Sequence, residues 1–500
     1  MPNVANITDA IINDRRLGAE IPDQLATRIA KSLEQEIIDA GWPVGQSLGN
    51  EEQLVQRFGV SRWVMREALA ITERDGLTCM RRGRSGGLFV SAPAESVVAT
   101  TMRNYLLFAG INRFELLALR RAIDGIACRL AAANNDEPVL LQAQAVLADG
   151  TQRAAMGHLQ GPAAIYRHIL ALAGNPLVQI FGLVLSQLTF SVGICLDATD
   201  FKSEKQSART LSLYGVRRRQ LECVIGADSV GAIQAAGVAY DNIQQMLEAS
   251  PFRGEQFNLG NSIAHTRVIA ERIVEAFPSE RNIRRVDTLT LQIQLDILRL
   301  NYQPGDPIAP EKLLGERYEV GRNVLREAIR VLQRDHVVAA AEGRQGGLCV
   351  AVPTPDNIVR SNLLLFQFVH VRPEEIALVA SELCMLAAEL SALRVARAGQ
   401  SHLAPLLALL QRKSDNPATL KIDLLETLAN TAGNPILILF ARTVVELQRR
   451  TPKIKTTHPP RLRVDQDLGV AEHSSNTLQK LEHALSTGNA PLSRRYIAQL

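Results

Sequence analysis

Apolar residues recur with helical spacing along most of the chain. Between Asp23 and Ala40, Leu25, Ile29, Leu33 and Ile37 fall at every fourth position, which predicts an amphipathic helix with Pro22 well placed at its start. A second helical run, Glu51 to Phe58, ends at Gly59. In the next stretch Val64 with Ala68, and Met65 with Leu69, can turn one helix face into a core. Arg62 and Arg66, four residues apart, project together from the other face. Ser61 is a good N-cap, and the helix N-terminus together with Arg62 suits a phosphate. Beyond Asp75-Gly76-Leu77 the period shortens. Arg81 to Val90 predicts two short strands joined by a basic, glycine-rich turn. Helix, helix, turn, helix, hairpin is the order of a winged helix-turn-helix.

The whole pattern then returns. Arg322 and Arg326 repeat the arginine pair, with Val324, Ala328, Leu325 and Ile329 as the apolar face. Gly45 matches Gly305, Arg66 matches Arg326 and Gly86 matches Gly346, each at an offset of 260 residues. Gly174-Asn175-Pro176-Leu177 matches Gly433-Asn434-Pro435-Ile436 at 259, so the register holds across nearly a whole half. This is a tandem duplication of a two-domain unit.

After the first winged region, a helix from Ala94 to Phe108 leads into Phe114–Arg121 and a long run rich in alanine and leucine. Breaks fall at Asn134–Pro138, Gly157–Pro162, Gly174–Pro176 and Asp197–Lys205, with few strand signals, which predicts an all-helical bundle. Ser250–Asn261 reads as a polar linker, and Ile263–Phe277 as a connecting helix. The expected organisation is a winged domain over residues 20–93, a helical domain over 94–250, and a linker with connecting helix over 251–280. A second winged domain over 281–353 and a second helical domain over 354–500 complete it. The fold class is mainly α: two winged helix-turn-helix domains with small β-hairpin wings and two all-α bundles in tandem.

Hydrophobic residues make up 46% of the chain and charged residues 21%, the balance of a folded soluble protein; aromatics are only 4%, so the cores must rest on aliphatic residues. A net charge of +4 is too small to make the chain a polycation, so a nucleic-acid surface must be local. Ser61 to Val90 holds six Lys/Arg against three Asp/Glu, and Gly321 to Val350 five against three, so both candidate surfaces are locally basic. The cysteines are widely spaced with no CxxC, which argues for free thiols in a reducing cytoplasm rather than zinc or disulfides. Met1–Arg16 has no apolar signal core, and the apolar run Phe181–Leu196 is too short and too interrupted to span a bilayer. A cytoplasmic protein without a membrane partner is expected.

The motifs resemble the GntR family of bacterial transcription regulators. The resemblance rests on the Gly45–Leu48 stretch, Ser61-Arg62 followed by Arg66-Glu67-Ala68-Leu69, and the wing ending Leu88-Phe89-Val90. The second copy supplies Pro304-Gly305-Asp306, Gly321-Arg322, Arg326-Glu327-Ala328 and Gly343 to Leu348. It implies DNA contacts from Ser61, Arg62, Trp63, Arg66, Arg82, Arg84 and Gly86 in head one. In head two it implies them from Lys312, Arg322, Asn323, Arg326, Arg344 and Gly346. The helical regions resemble the FCD ligand-sensing domain through Glu115–Arg120, Gly174–Leu177 and the helix from Tyr214 to Asp228. Many FCD domains hold a metal with one aspartate and three histidines. Those positions fall here on Pro162, Tyr166, Arg217 and about Ala239, and in the second unit on Lys421, Leu425, Leu478 and about Gln499. Every ligand is replaced, so no metal and no cofactor is expected. Arg120 stands where the family has an effector-facing arginine, and Ala380 stands there in unit two. Arg120, Tyr166 and Arg217 could together hold a small organic acid; a structural pairing of Arg120 with Asp124 is the alternative.

These observations point to a transcription regulator, a repressor, reading double-stranded operator DNA with two heads on one chain as a covalent pseudo-dimer. Association of two chains into a homodimer stays open. One rival is a degenerate-repeat interaction protein that binds no DNA. The other is a winged domain fused to a pyridoxal-phosphate enzyme, opposed by the helical, lysine-poor region after Pro93.

Overall fold

The computed structural model describes residues 22–81, 83, 86–109, 111, 113–134, 136–155, 160–196, 204–249, 263–276, 284–335, 337–340, 348–351, 355–411, 417–450 and 467–500. Head one contains α1 (Pro22–Asp39), β1 (Ser47–Gly49), α2 (Glu51–Phe58), α3 (Arg62–Arg74), β2 (Thr78–Arg81) and β3 (Gly87–Val90). Its core gathers Ile29, Leu33, Leu54, Phe58, Val64, Met65, Ala68, Leu69 and Leu88, the apolar faces that the spacing marked. Gly59 takes φ 62, a left-handed C-cap that lets the chain turn from α2 into α3. The wing strands pair antiparallel in the order β1-β3-β2. β1 was not predicted, because three residues are too few to show a period. Its close approach to β3 requires Gly87, where a Cβ would stand 2.9 Å from the Gly49 carbonyl oxygen.

The first helical domain follows: α4 (Glu95–Ala109), α5 (Arg113–Ala132), α6 (Glu137–Ala155), α7 (Gln160–Ala173), α8 (Pro176–Leu196), α9 (Glu204–Ile225) and α10 (Ser229–Ala249). The connecting helix is α11 (Ile263–Ala276). Head two has α12 (Arg284–Arg299), α13 (Glu311–Arg317), α14 (Arg322–Arg334), β4 (Val338–Ala340) and β5 (Leu348–Val350). The second helical domain has α15 (Pro355–Phe368), α16 (Pro373–Ala398), α17 (Ala404–Gln411), α18 (Pro417–Ala432), α19 (Pro435–Arg450), α20 (Asp467–Ser486) and α21 (Ala490–Ile497). Among the described residues α16 alone is long and apolar enough to cross a membrane. It packs instead as a core helix, burying Ile376, Val379, Leu383, Leu386, Ala387 and Val395 among others.

The two helical domains share one continuous apolar core. At its centre Phe181 of α8 stacks on Phe440 of α19, with ring centroids 3.9 Å apart and planes 6° from parallel. These residues occupy the same place in the two repeats. Equivalent residues of the two repeats therefore meet at the junction of the two helical domains. Phe366 of α15 packs edge-on against Phe181.

Each head docks on the helix that follows the other head. Arg360 of α15 reaches back to head one, bonding Glu34 of α1 and, at 3.1 Å, Asp75 at the C-cap of α3. Leu364 is buried with Ile37, Trp42, Leu77 and Val90, and Phe368 meets the Trp42 ring edge-on at 5.4 Å. In the mirror arrangement Asp335, the C-cap of α14, accepts from Thr101 and Asn104 of α4, each at 3.3 Å. Buried Arg103 lies in the fields of Asp335 and Asp287; burial lowers its pKa to about 10 against their opposing pull. Two-domain units read in chain order give no sign of this exchange. Arg360→Ala is expected to weaken the docking of head one by about 1–2 kcal/mol, at the lower end for hydrogen bonds to charged groups because Arg360 is partly exposed. Hydrogen exchange in the full chain should then quicken around Glu34, Trp42 and Asp75 but not around Asp335; uniform exchange across both heads would refute the crossed docking.

Head two has an additional brace. Leu291 and Leu295 of α12 pack on Ile269, Ala270, Ile273 and Val274 of α11. Their repeat equivalents on α1 are Lys31 and Gln35, both exposed. The extra helix therefore covers a face that is polar in head one and apolar in head two.

Candidate nucleic-acid interface

The two helices that carry the arginine pairs, α3 and α14, each begin on an exposed, basic end. In head one Ser61 has extended backbone, and its Oγ accepts from the Val64 N–H at 3.3 Å, so the cap expected from sequence is formed. Arg62, Trp63 and Arg66 are exposed, with Trp63 at 55%; a large aromatic held in solvent beside two arginines is suited to a partner surface. In head two Gly321 holds the same backbone geometry without a side-chain cap. Arg322, Asn323, Arg326 and Lys312 are all exposed. Val64, Met65, Ala68 and Leu69 anchor α3 from beneath; Leu325, Ala328 and Ile329 anchor α14. Both arginine pairs thus stand on rigid helices, on the face opposite the core.

In the wing of head one, a Cβ on Gly86 would fall 2.5 Å from the Arg81 carbonyl oxygen, so the turn requires glycine. Arg82, Arg84, Arg344 and Gly346 lie outside the described residues. Arg81, not selected from sequence, lies with its guanidinium 4.3 Å from the Phe89 ring centroid at the base of the wing. The signal for it was present in Arg81-Arg82, read there only as charge. Arg66 and Arg326 each bond a glutamate, Glu51 at 2.8 Å and Glu311 at 3.2 Å, which the sequence reading also missed.

A second candidate site lies inside the first helical domain. Tyr166 of α7 donates to Asp124 of α5, whose other oxygen takes Arg217 of α9 at 3.4 Å; Arg217 also donates to Gln220 at 2.6 Å. The expected pairing of Arg120 with Asp124 does not form. Arg120 turns across the bundle to donate to the Leu185 carbonyl at 3.1 Å and stacks 4.7 Å from the Tyr166 ring, leaving the carboxylate to Arg217. Arg120, Tyr166 and Arg217 are brought together as expected, all three buried. Burial raises the Tyr166 pKa, reinforced by Asp124, and lowers that of Arg217 against the pull of Asp124. Burial likewise lifts neighbouring Cys128 to about 11, so the thiol stays protonated. Among the described residues, the Arg120 Nε and the Tyr240 hydroxyl have no hydrogen-bond partner. In unit two the corresponding Ala380 and Leu425 are buried and apolar, and Leu478 is half-buried. Among the described residues no three of His, Cys, Asp or Glu converge.

The profile of bacterial regulatory proteins of the gntR family matches residues 25–89 and again 286–346, the two heads. The Uxu operon regulator of Haemophilus influenzae is 26% identical over 147 residues, 29% of this chain and 53% of that protein. The Exu regulon transcriptional regulator of Escherichia coli K12 is 27% identical over 125 residues, 25% of this chain and 47% of that one. An uncharacterised HTH-type transcriptional regulator of Mycobacterium tuberculosis is 32% identical over 114 residues, covering 22% and 44%. The chain spans about half the length of these relatives. A solved GntR structure from Streptococcus agalactiae aligns over 44% of this chain and 99% of its own, at 15% identity and a TM-score of 0.32. Both heads are thus similar to the bacterial regulatory proteins of the gntR family.

Proposed function

We propose that the chain is a cytoplasmic, sequence-specific transcription regulator, a repressor, that sets two winged heads on one operator as a covalent pseudo-dimer. The observation that carries this is the paired arginine face on α3 and α14, exposed in both heads and anchored on the opposite side. The Phe181–Phe440 stack supports the pseudo-dimer, because it joins equivalent residues of the repeats as a homodimer interface would. Operators of such a protein need not be palindromic, since the two half-sites meet non-identical helices. The described strands all lie in the two heads, which disfavours a fused aminotransferase-like enzyme. Selection of bound duplexes from a random pool tests the reading: enrichment of two spaced half-sites supports it. Recovery of the input pool, with no steep salt dependence of binding, favours an interaction protein without DNA contact.

Control by a small organic acid belongs to this proposal. Two buried guanidiniums, Arg120 and Arg217, share this cluster with one carboxylate, Asp124, which pairs with Arg217 and leaves an excess of positive charge beside an unbonded Arg120 Nε. We place the FCD resemblance and the effector in this cluster, using Arg120, Tyr166 and Arg217 without a metal. Small carboxylic acids are expected to raise the melting temperature of the chain, and Arg120→Met to abolish that shift. A shift that survives Arg120→Met, or one that requires zinc or nickel, would refute the assignment.

A further inference from the structure

We propose that Glu51 and Glu311 are positioning residues for base readout, each holding the Nε edge of its recognition-helix arginine so that the two Nη groups are presented to the major groove. The inference rests on the DNA-binding reading above. Arg66 donates through Nε to Glu51, and Arg326 donates through Nε to Glu311, so the same edge is used in both heads. The two pairs occupy equivalent repeat positions. Much around them has diverged: Asn50 has become Pro310, Glu52 Lys312, Ser61 Gly321 and Trp63 Asn323. The neighbouring acid was lost while the paired one was kept.

A stabilising role does not account for the pairs. The arginine side chains are 68% and 62% exposed, and ion pairs so open to solvent contribute little to folding. A carboxylate on a DNA-facing surface also repels phosphate, so it weakens non-specific binding. Its benefit lies in geometry. An unrestrained arginine rotates about four torsions, whereas one held at Nε keeps a planar fork of Nη donors in a fixed direction. Guanine presents O6 and N7 side by side to such a fork. The glutamates stand on the first turn of α2 and α13, outside the recognition helices, which makes them supports and not readers.

The test uses the full-length chain and three duplexes: the selected operator, that operator with the guanine opposite Arg66 replaced, and an unrelated duplex. Glu51→Gln is expected to lower discrimination between the first two by about tenfold while binding to the unrelated duplex holds or rises. Glu52→Gln removes an adjacent charge without touching the pair; it should alter all three duplexes alike. Adding Glu51→Gln to Arg66→Ala should cost no further discrimination. If wild-type chain shows no preference among the duplexes, the DNA-reading function itself fails, and the inference with it. If wild type discriminates and Glu51→Gln discriminates equally well, the positioning role alone is overturned.

Discussion

Asp124→Ala is expected to destabilise the first helical domain by about 3–5 kcal/mol, the range for removing one partner of a buried ion pair. Asp124 and Arg217 are both almost wholly buried, and Asp124 also takes the Tyr166 hydroxyl. Without the carboxylate, two guanidiniums remain in a bundle core with only Gln220, a backbone carbonyl and aromatic faces to meet them. The penalty is therefore the desolvation of uncompensated charge, larger than the worth of the pair itself. Two further variants separate these quantities. Asp124→Asn keeps a bond from Tyr166 but loses the charge, and should recover only a small part of the loss. Asp124→Leu with Arg217→Met replaces the pair by apolar volume and should recover most of it. Urea denaturation of the full chain measures all three. A loss below about 1 kcal/mol for Asp124→Ala would show that water reaches the cluster and that its charges are not truly buried.

How much of this was legible beforehand depends on what each contact required. The heads were legible because their signals are local: four-residue apolar spacing, a serine before an arginine pair, glycine at a tight turn. Arg120, Tyr166 and Arg217 were brought to one place by resemblance, yet the partner of Asp124 was misassigned. One-turn spacing on α5 favours Arg120, but three packed helices supply a better-placed donor in Arg217. The brace on head two was not read from the sequence, although Leu291 and Leu295, where the first repeat has Lys31 and Gln35, mark an apolar face that needs a cover. The crossed docking was not visible. The helices α4 and α15 are equivalent in the repeat, so nothing in their pattern says which head each will meet. That choice lies in the path of the chain, and only Arg360 and Asp335, once seen in place, reveal it.

Replacing Arg62 and Arg66 together with alanine is expected to remove most operator affinity, at about 1–3 kcal/mol for each arginine that reads a base. The same change at Arg322 and Arg326 should cost less. Head one carries the Ser61 cap, which fixes the first turn of α3, and an asparagine capping box at Asn50 and Gln53 that fixes α2 beneath it. Head two has Gly321 and Pro310 at these places, neither with a side-chain cap. Arg81 adds a cation at the wing of head one, where head two has Ala341. Two features act the other way: Lys312 replaces Glu52, and α11 holds head two more firmly. Neither supplies a donor at the start of the recognition helix, where base edges and phosphates are met, so head one should dominate. Titrating full-length wild type and the two double variants on the selected operator, at two salt concentrations, decides it. The head-one variant should lose more affinity and, where an arginine meets phosphate, show a salt slope shallower by about one unit per contact. Equal losses would make the heads equivalent readers, and a greater loss from Arg322 and Arg326 would place the principal contact on the braced head.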